Sequence, residues 1–159
     1  MYSKILVPVD GSPTSSRGLQ EAIKLAKLTG ARLRLIHVVD ELSFATGMEA
    51  ATMATGDMIQ LLREGGQLLL KKDAARVEKA GLAVDTVLCD SIAGRVCDHV
   101  VEQARLWRAG LIVLGTHGRR GVGRLLLGSD AEMIARLASV PVLLVRAKEA
   151  ADSGEKQAS

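Results

Sequence analysis

Residues 5–13 read Ile5-Leu6-Val7-Pro8-Val9-Asp10-Gly11-Ser12-Pro13. No polar residue alternates through Ile5 to Val9, so this is a strand buried on both faces, as in a parallel sheet. Ser12 then offers an N-cap with Pro13 in the first helical position. Leu19, Ala22, Ile23 and Ala26 follow at the spacing of one helical face, and Gly30 stops the helix.

The same switch of period recurs along the chain. Leu33 to Val39 reads as a second strand, and Asp57 as the cap of a long helix to about Ala80, stopped by Gly81. Gly65-Gly66 inside that helix implies a kink or a close approach by a neighbouring backbone, because each glycine costs ~1 kcal/mol relative to alanine. Ala83 to Cys89 is a third strand, interrupted by Asp85 and Thr86 as at a sheet edge. Ser91 is the expected cap of a helix buried through Ala93, Val96, Cys97, Val100, Ala104 and Trp107 and ended by Gly110. Leu111 to Leu114 is a fourth strand, Ser129 to about Ala138 a short helix, and Val142 to Val145 a last strand behind Pro141.

This β-α-β-α-β-α-β-α-β order implies a five-stranded parallel sheet with helices on both faces and right-handed crossovers. The two most apolar strands, the first and fourth, belong at the centre, which gives the strand order 3-2-1-4-5. A ligand then belongs past the carboxyl ends of those two strands, where the winding reverses. One domain over residues 1–147 with a small polar tail, 148–159, fits the length of 159 residues.

Composition excludes several classes of function. Aromatics are 2% of the chain, too few for stacking a run of bases, and a net charge of +3 gives no nucleic-acid coat or anionic-membrane footprint. No apolar run approaches the roughly 18 residues of a membrane span. Two cysteines, Cys89 and Cys97, give no disulfide framework, and the expected location is cytoplasmic. Met48 and Met53 fall in a connection from Asp40 to Gly56 without a firm period and Met58 just beyond it, where apolar packing is favoured over copper binding.

Two loops end at the expected crevice. In the first, Pro8 removes a ladder donor near the end of a central strand, so the ladder should stop there. Asp10 either caps the first helix or hydrogen-bonds a ribose hydroxyl. The second runs Gly115-Thr116-His117-Gly118-Arg119-Arg120-Gly121-Val122-Gly123-Arg124-Leu125-Leu126-Leu127-Gly128-Ser129. Its glycines let backbone N–H groups approach an anion, its arginines are unopposed by any acid, and Ser129 opens a helix with free N–H donors. These features describe a phosphate cradle. It is not a Walker loop, because no Gly-Lys occurs in the chain, nor a dinucleotide fingerprint, because Gly121-Val122-Gly123 follows the wrong strand.

The pattern Gly115-x2-Gly118-x9-Gly128-Ser129 resembles the nucleotide-binding signature of the universal stress protein family. The resemblance extends through Lys4 to Ser12, Leu35 to Asp40 and Pro141 to Arg146. It implies a flavodoxin-like, Rossmann-like α/β fold, an adenine nucleotide such as ATP or AMP with or without Mg²⁺, and a homodimer through Val142 to Val145. By the family pattern Pro8, Val9 and Asp10 line the adenosine side and Val38 meets adenine. Leu114, Gly115, His117, Gly118, Arg119, Gly128 and Ser129 then surround the ribose and phosphates. Asp130 adjoins them, a carboxylate where many relatives have an apolar residue. The expected activity is a stress-response regulatory module with an unknown protein partner and at most slow ATP hydrolysis or autophosphorylation. The alternatives are an enzyme acting at the α-phosphate and a structural dimer that binds no nucleotide. Among the other polar residues, His37 reads as a core or rim histidine and Asp98-His99 as solvated surface.

Overall fold

In a computed structural model, residues 2–39, 55–90, 94–116 and 128–146 are described. Five strands, β1 (Lys4–Pro8), β2 (Arg32–Val39), β3 (Val84–Asp90), β4 (Leu111–Thr116) and β5 (Val142–Arg146), form one parallel sheet. Their order is β3-β2-β1-β4-β5, the order expected from strand polarity. Four helices are α1 (Pro13–Thr29), α2 (Thr55–Lys79), α3 (Val96–Trp107) and α4 (Ser129–Leu137). The expected tail, 148–159, and most of the Asp40–Gly56 connection lie outside the described residues.

Each face of the sheet carries its own core. Ile5, Val7, Leu33, Leu35, Leu111 and Val113 point to the side covered by α1 and α2, with Leu19, Ala22, Leu70 and Val77 against them. Leu6, Ile36, Ile112 and Leu114 point the other way and meet Cys97, Val100, Ala104 and Ile134 of α3 and α4. Strand residues of β1 and β4 are therefore buried whichever way they face, as the apolar runs require.

Ser12 caps α1 as expected: Ser15 N–H donates to Ser12 Oγ at 3.1 Å. Gly30 ends the helix in the left-handed region at φ 69°. Several other boundaries differ from expectation. Asp57 lies inside the first turn of α2, and Met58 belongs to that helix. The next helix starts at Val96, so neither Ser91 nor Ala93 belongs to it; both lie outside the described residues. Its first turn is tied by Asp98, whose Oδ2 accepts from the Arg95 backbone N–H at 3.1 Å and from Arg95 Nε at 3.2 Å. It ends where Arg108, not Gly110, takes the left-handed conformation at φ 54°.

The Gly65-Gly66 pair does not break α2, which runs continuously through it. A Cβ on Gly66 would stand 2.6 Å from His37 Cδ2 and 2.8 Å from Leu88 Cδ1, so side chains of β2 and β3, rather than backbone, make the close approach. Gly65 faces open space. Among the described residues, no helix is long and apolar enough to cross a membrane.

Candidate functional site

The sheet opens where β1 and β4 part. Their register ends at Leu6–Ile112, while β1 continues against β2 through Pro8–Ile36 and a final bond from Val9 N–H to Ile36 O at 2.9 Å. Strand alternation puts the missing Pro8 N–H on the β4 side, past the last pair, so the proline removes no ladder bond. On the β4 side the ladder has already stopped at Leu6, and on the β2 side it runs through Pro8. The same alternation aims the N–H and C=O of Val38 beyond the end of β1, into the gap.

A cavity of about 510 Å³ occupies this gap, within the range of small-molecule sites. Pro8, Val9 and Asp10 form one wall and Val38 lies beside them. Leu114, Gly115, Gly128, Ser129 and Asp130 form the opposite side. His117, Gly118 and Arg119 lie outside the described residues.

Two helix N-termini converge on the cavity. Thr14 and Ser15 in the first turn of α1 line it, both buried. Asp10 N–H donates to Ser15 Oγ at 3.2 Å, and Asp10 Oδ1 accepts from Ser12 N–H at 2.8 Å. Asp10 thus braces the helix start with one oxygen while its residue lines the cavity, so capping and a ligand role are compatible. On the other side α4 begins with Gly128 as N-cap, a residue that brings no side-chain oxygen to its first turn. Those N–H groups, together with the positive end of the helix dipole, can take an anion.

Gly115 belongs to β4 rather than to the loop, paired with Val145, and Thr116 is paired with Arg146. A Cβ on Gly115 would overlap the Thr14 carbonyl and stand 2.8 Å from Ser15 N. Gly18 meets the same contact from α1, since its Cβ would lie 2.7 Å from Gly115 N. These two glycines let α1 lie directly on β4 and set its N-terminus at the cavity. Gly128 differs: among the described residues nothing lies within 4 Å of where its Cβ would be, and its φ of −54° suits any residue.

His37 lines the cavity and packs beneath Gly66. Its Nδ1 lies 2.7 Å from the Val9 carbonyl; a carbonyl only accepts, so Nδ1 carries the proton. His37 is therefore a rim histidine that ties β2 to the end of β1. Thr14 and Ser15 were legible only as helix-cap chemistry, and the apolar wall of Ile36, Val100 and Ile134 only as core.

The remaining polar candidates separate. Asp98 is exposed and held below the ordinary carboxylate range by its hydrogen bonds from Arg95. His99 is not simply solvated: it is half-buried, and its Nε2 is buried without a hydrogen-bond partner among the described residues. Burial pushes both thiols up, and neighbouring carboxylates, Asp90 for Cys89 and Asp98 for Cys97, add to it. Among the described residues no cluster of three or more His, Cys, Asp or Glu could hold a metal.

The family model described as universal stress protein family matches residues 1–146. The chain belongs to the universal stress protein family. Universal stress protein MJ0531 of Methanocaldococcus jannaschii is 37% identical, the match covering 92% of this chain and 83% of that protein. A solved universal stress protein family structure from Burkholderia pseudomallei is 32% identical with a TM-score of 0.75, covering 92% of this chain and 97% of its own. More distant members share the fold: one was solved in complex with cAMP (23% identity, TM-score 0.64, covering 91% of this chain and 97% of its own), and one from Arabidopsis thaliana with AMP bound (17%, TM-score 0.67, covering 92% and 93%).

Proposed function

We propose that this chain binds an adenine nucleotide in the cavity between β1 and β4 and acts as a stress-response regulatory module rather than as a fast enzyme. The observation that carries the reading is the N-terminus of α4, begun by a glycine that supplies no cap of its own, opening onto a cavity. Its first-turn donors, with the Ser129 hydroxyl, suit phosphate oxygens. The Val38 N–H and C=O suit the donor and acceptor edge of a base, and Asp10 suits ribose hydroxyls. The unobstructed position at Gly128 leaves room for a phosphate where a side chain would intrude. Fold relatives solved with cAMP and AMP favour adenine as the base.

Asp130 gives the site a negative group beside the expected phosphates. A polyphosphate is then better accommodated as its Mg²⁺ complex, the cation lowering the repulsion between carboxylate and phosphate. Binding with at most slow hydrolysis or autophosphorylation belongs to the same reading. The homodimer through β5 belongs to the same reading. It is supported by an edge strand bonded only to β4 and carrying Leu143, which is 41% exposed. A cytoplasmic location belongs to the same reading, supported by the free thiols Cys89 and Cys97.

The test is mass spectrometry and HPLC of nucleotide released from purified, denatured protein, followed by calorimetric titration with ATP and Mg²⁺. Stoichiometric ATP or AMP, or a saturable titration, supports the reading. An empty protein that also fails to titrate refutes it and leaves a structural dimer.

A further inference from the structure

The outward face of α2 carries a pattern the fold does not use. Asp57, Leu61, Glu64, Leu68, Lys72, Ala75 and Lys79 are all exposed and follow one another at gaps of four, three, four, four, three and four residues. At 3.6 residues per turn they form one stripe, opposite the buried Gly66, Leu70, Asp73 and Val77. Leu61 and Leu68 are 62% and 69% exposed.

The spacing is symmetric about Leu68, and the charges are antisymmetric: acids before it, bases after it. Glu64 accepts a hydrogen bond from Gln60. Among the described residues, none of Asp57, Glu64, Lys72 and Lys79 belongs to an ion pair, whereas Arg63 and Arg76 on the flanks of the helix are paired with Asp90 and Asp73.

We infer that α2 is a self-recognition surface for a second copy of this chain, packed antiparallel about a two-fold axis at Leu68. That axis sets Leu68 against its own copy and Leu61 against the partner's Ala75. Glu64 meets the partner's Lys72, and Asp57 meets the partner's Lys79. Every acid on the stripe faces a base, and each contact occurs twice, as an isologous interface requires. Parallel packing would instead stack acid on acid and base on base. Because α2 covers β2 and β3 while β5 is the opposite edge of the sheet, this surface is separate from pairing through β5. Its charge contacts are exposed, so the pairing weakens with salt.

The experiment uses the full chain with single cysteines introduced on the stripe. Leu68→Cys is expected to form a disulfide-linked pair under mild oxidation at least about tenfold faster than Leu28→Cys, a still more exposed control on α1. Equal rates overturn the proposal. Sedimentation across a concentration series supplies the second readout. Glu64→Lys and Lys72→Glu are each expected to weaken self-association by about tenfold, from two exposed pairs reversed in sign, and the double exchange to restore it. Single variants that associate like the parent, or a double variant no better than the singles, overturn it. None of these positions lines the nucleotide cavity or touches β5, so nucleotide affinity and β5 pairing remain as internal controls.

Discussion

Replacing Gly128 by alanine separates a ligand contact from a folding requirement, and the structure supplies both halves of the comparison. The position has φ −54° and ψ 146°, open to any residue, and among the described residues no atom lies within 4 Å of the added carbon. The folding penalty is then only the poorer N-cap preference of alanine, about 0.5–1 kcal/mol, or a drop of roughly 1–4 °C in Tm for a chain of this size. The binding penalty is larger, because a methyl group at the mouth of the helix displaces an anion from its N–H donors. Losing one charge-assisted hydrogen bond costs about 1.5–3 kcal/mol, or about 10- to 150-fold in Kd. Calorimetric titration with Mg²⁺-ATP beside a thermal melt reads both numbers from one preparation. Unchanged affinity in a folded Gly128→Ala protein would falsify the placement of phosphate at α4. Gly115→Ala is the contrasting variant. Its Cβ overlaps the Thr14 carbonyl, so β4 and α1 must separate, and overpacking of that kind costs about 1–3 kcal/mol or more. It should lose stability first and affinity only as a consequence.

Four further outcomes follow from named contacts. Gly65→Ala should stabilise the protein by about 0.5–1 kcal/mol in urea titration, because α2 gains helix propensity and the added carbon meets nothing. Gly66→Ala should destabilise it by a net 1–2 kcal/mol or so, because the same gain is outweighed by contacts at 2.6 and 2.8 Å with His37 and Leu88; equal effects at the two positions would contradict the packing described. Asp98 has a folded-state pKa below its unfolded one, owing first to the Arg95 side-chain hydrogen bond. Its contribution is therefore present above the ordinary aspartate range and lost as the pH falls through the folded value, so melting curves of the parent and Asp98→Asn proteins should converge in acid. Cys89 and Cys97, both pushed toward the neutral thiol by burial, should alkylate slowly with iodoacetamide at neutral pH and rapidly in denaturant.

Sheet order and helix faces were legible because their causes are local or periodic. Apolar runs mark strands buried on both faces, and Ser12-Pro13 and Gly30 bound α1 by chemistry within a few residues. What was not legible is either a competing local contact or a partner far along the chain. Ser91 has the side chain of a cap, yet α3 starts at Val96, because Asp98 ties back to the backbone and guanidinium of Arg95, a residue type with no capping oxygen of its own. Thr14 and Ser15 read as an ordinary helix start, and only the approach of α1 to β4 through Gly18 and Gly115 turns them into walls of a cavity.

The glycines show why one residue type carried such different meanings. Gly66 is required by His37 and Leu88, and Gly18 and Gly115 by each other's backbone, so each is explained by atoms of the folded chain. Gly30 and Gly81 are explained by φ values of 69° and 79°. Gly128 has neither kind of explanation: its backbone is ordinary and its surroundings are open. Glycine is an acceptable N-cap, but serine, aspartate or asparagine would hold the first turn of α4 better. Any of these would satisfy, with its own oxygen, the N–H donors that now face the cavity. A side-chain cap at 128 and an external anion compete for the same donors, and under the proposed reading Gly128 leaves them to the anion. Gly128→Asp should therefore raise the stability of the nucleotide-free protein while weakening ATP more than Gly128→Ala does, through charge as well as volume; a melt and a titration on the two variants decide it.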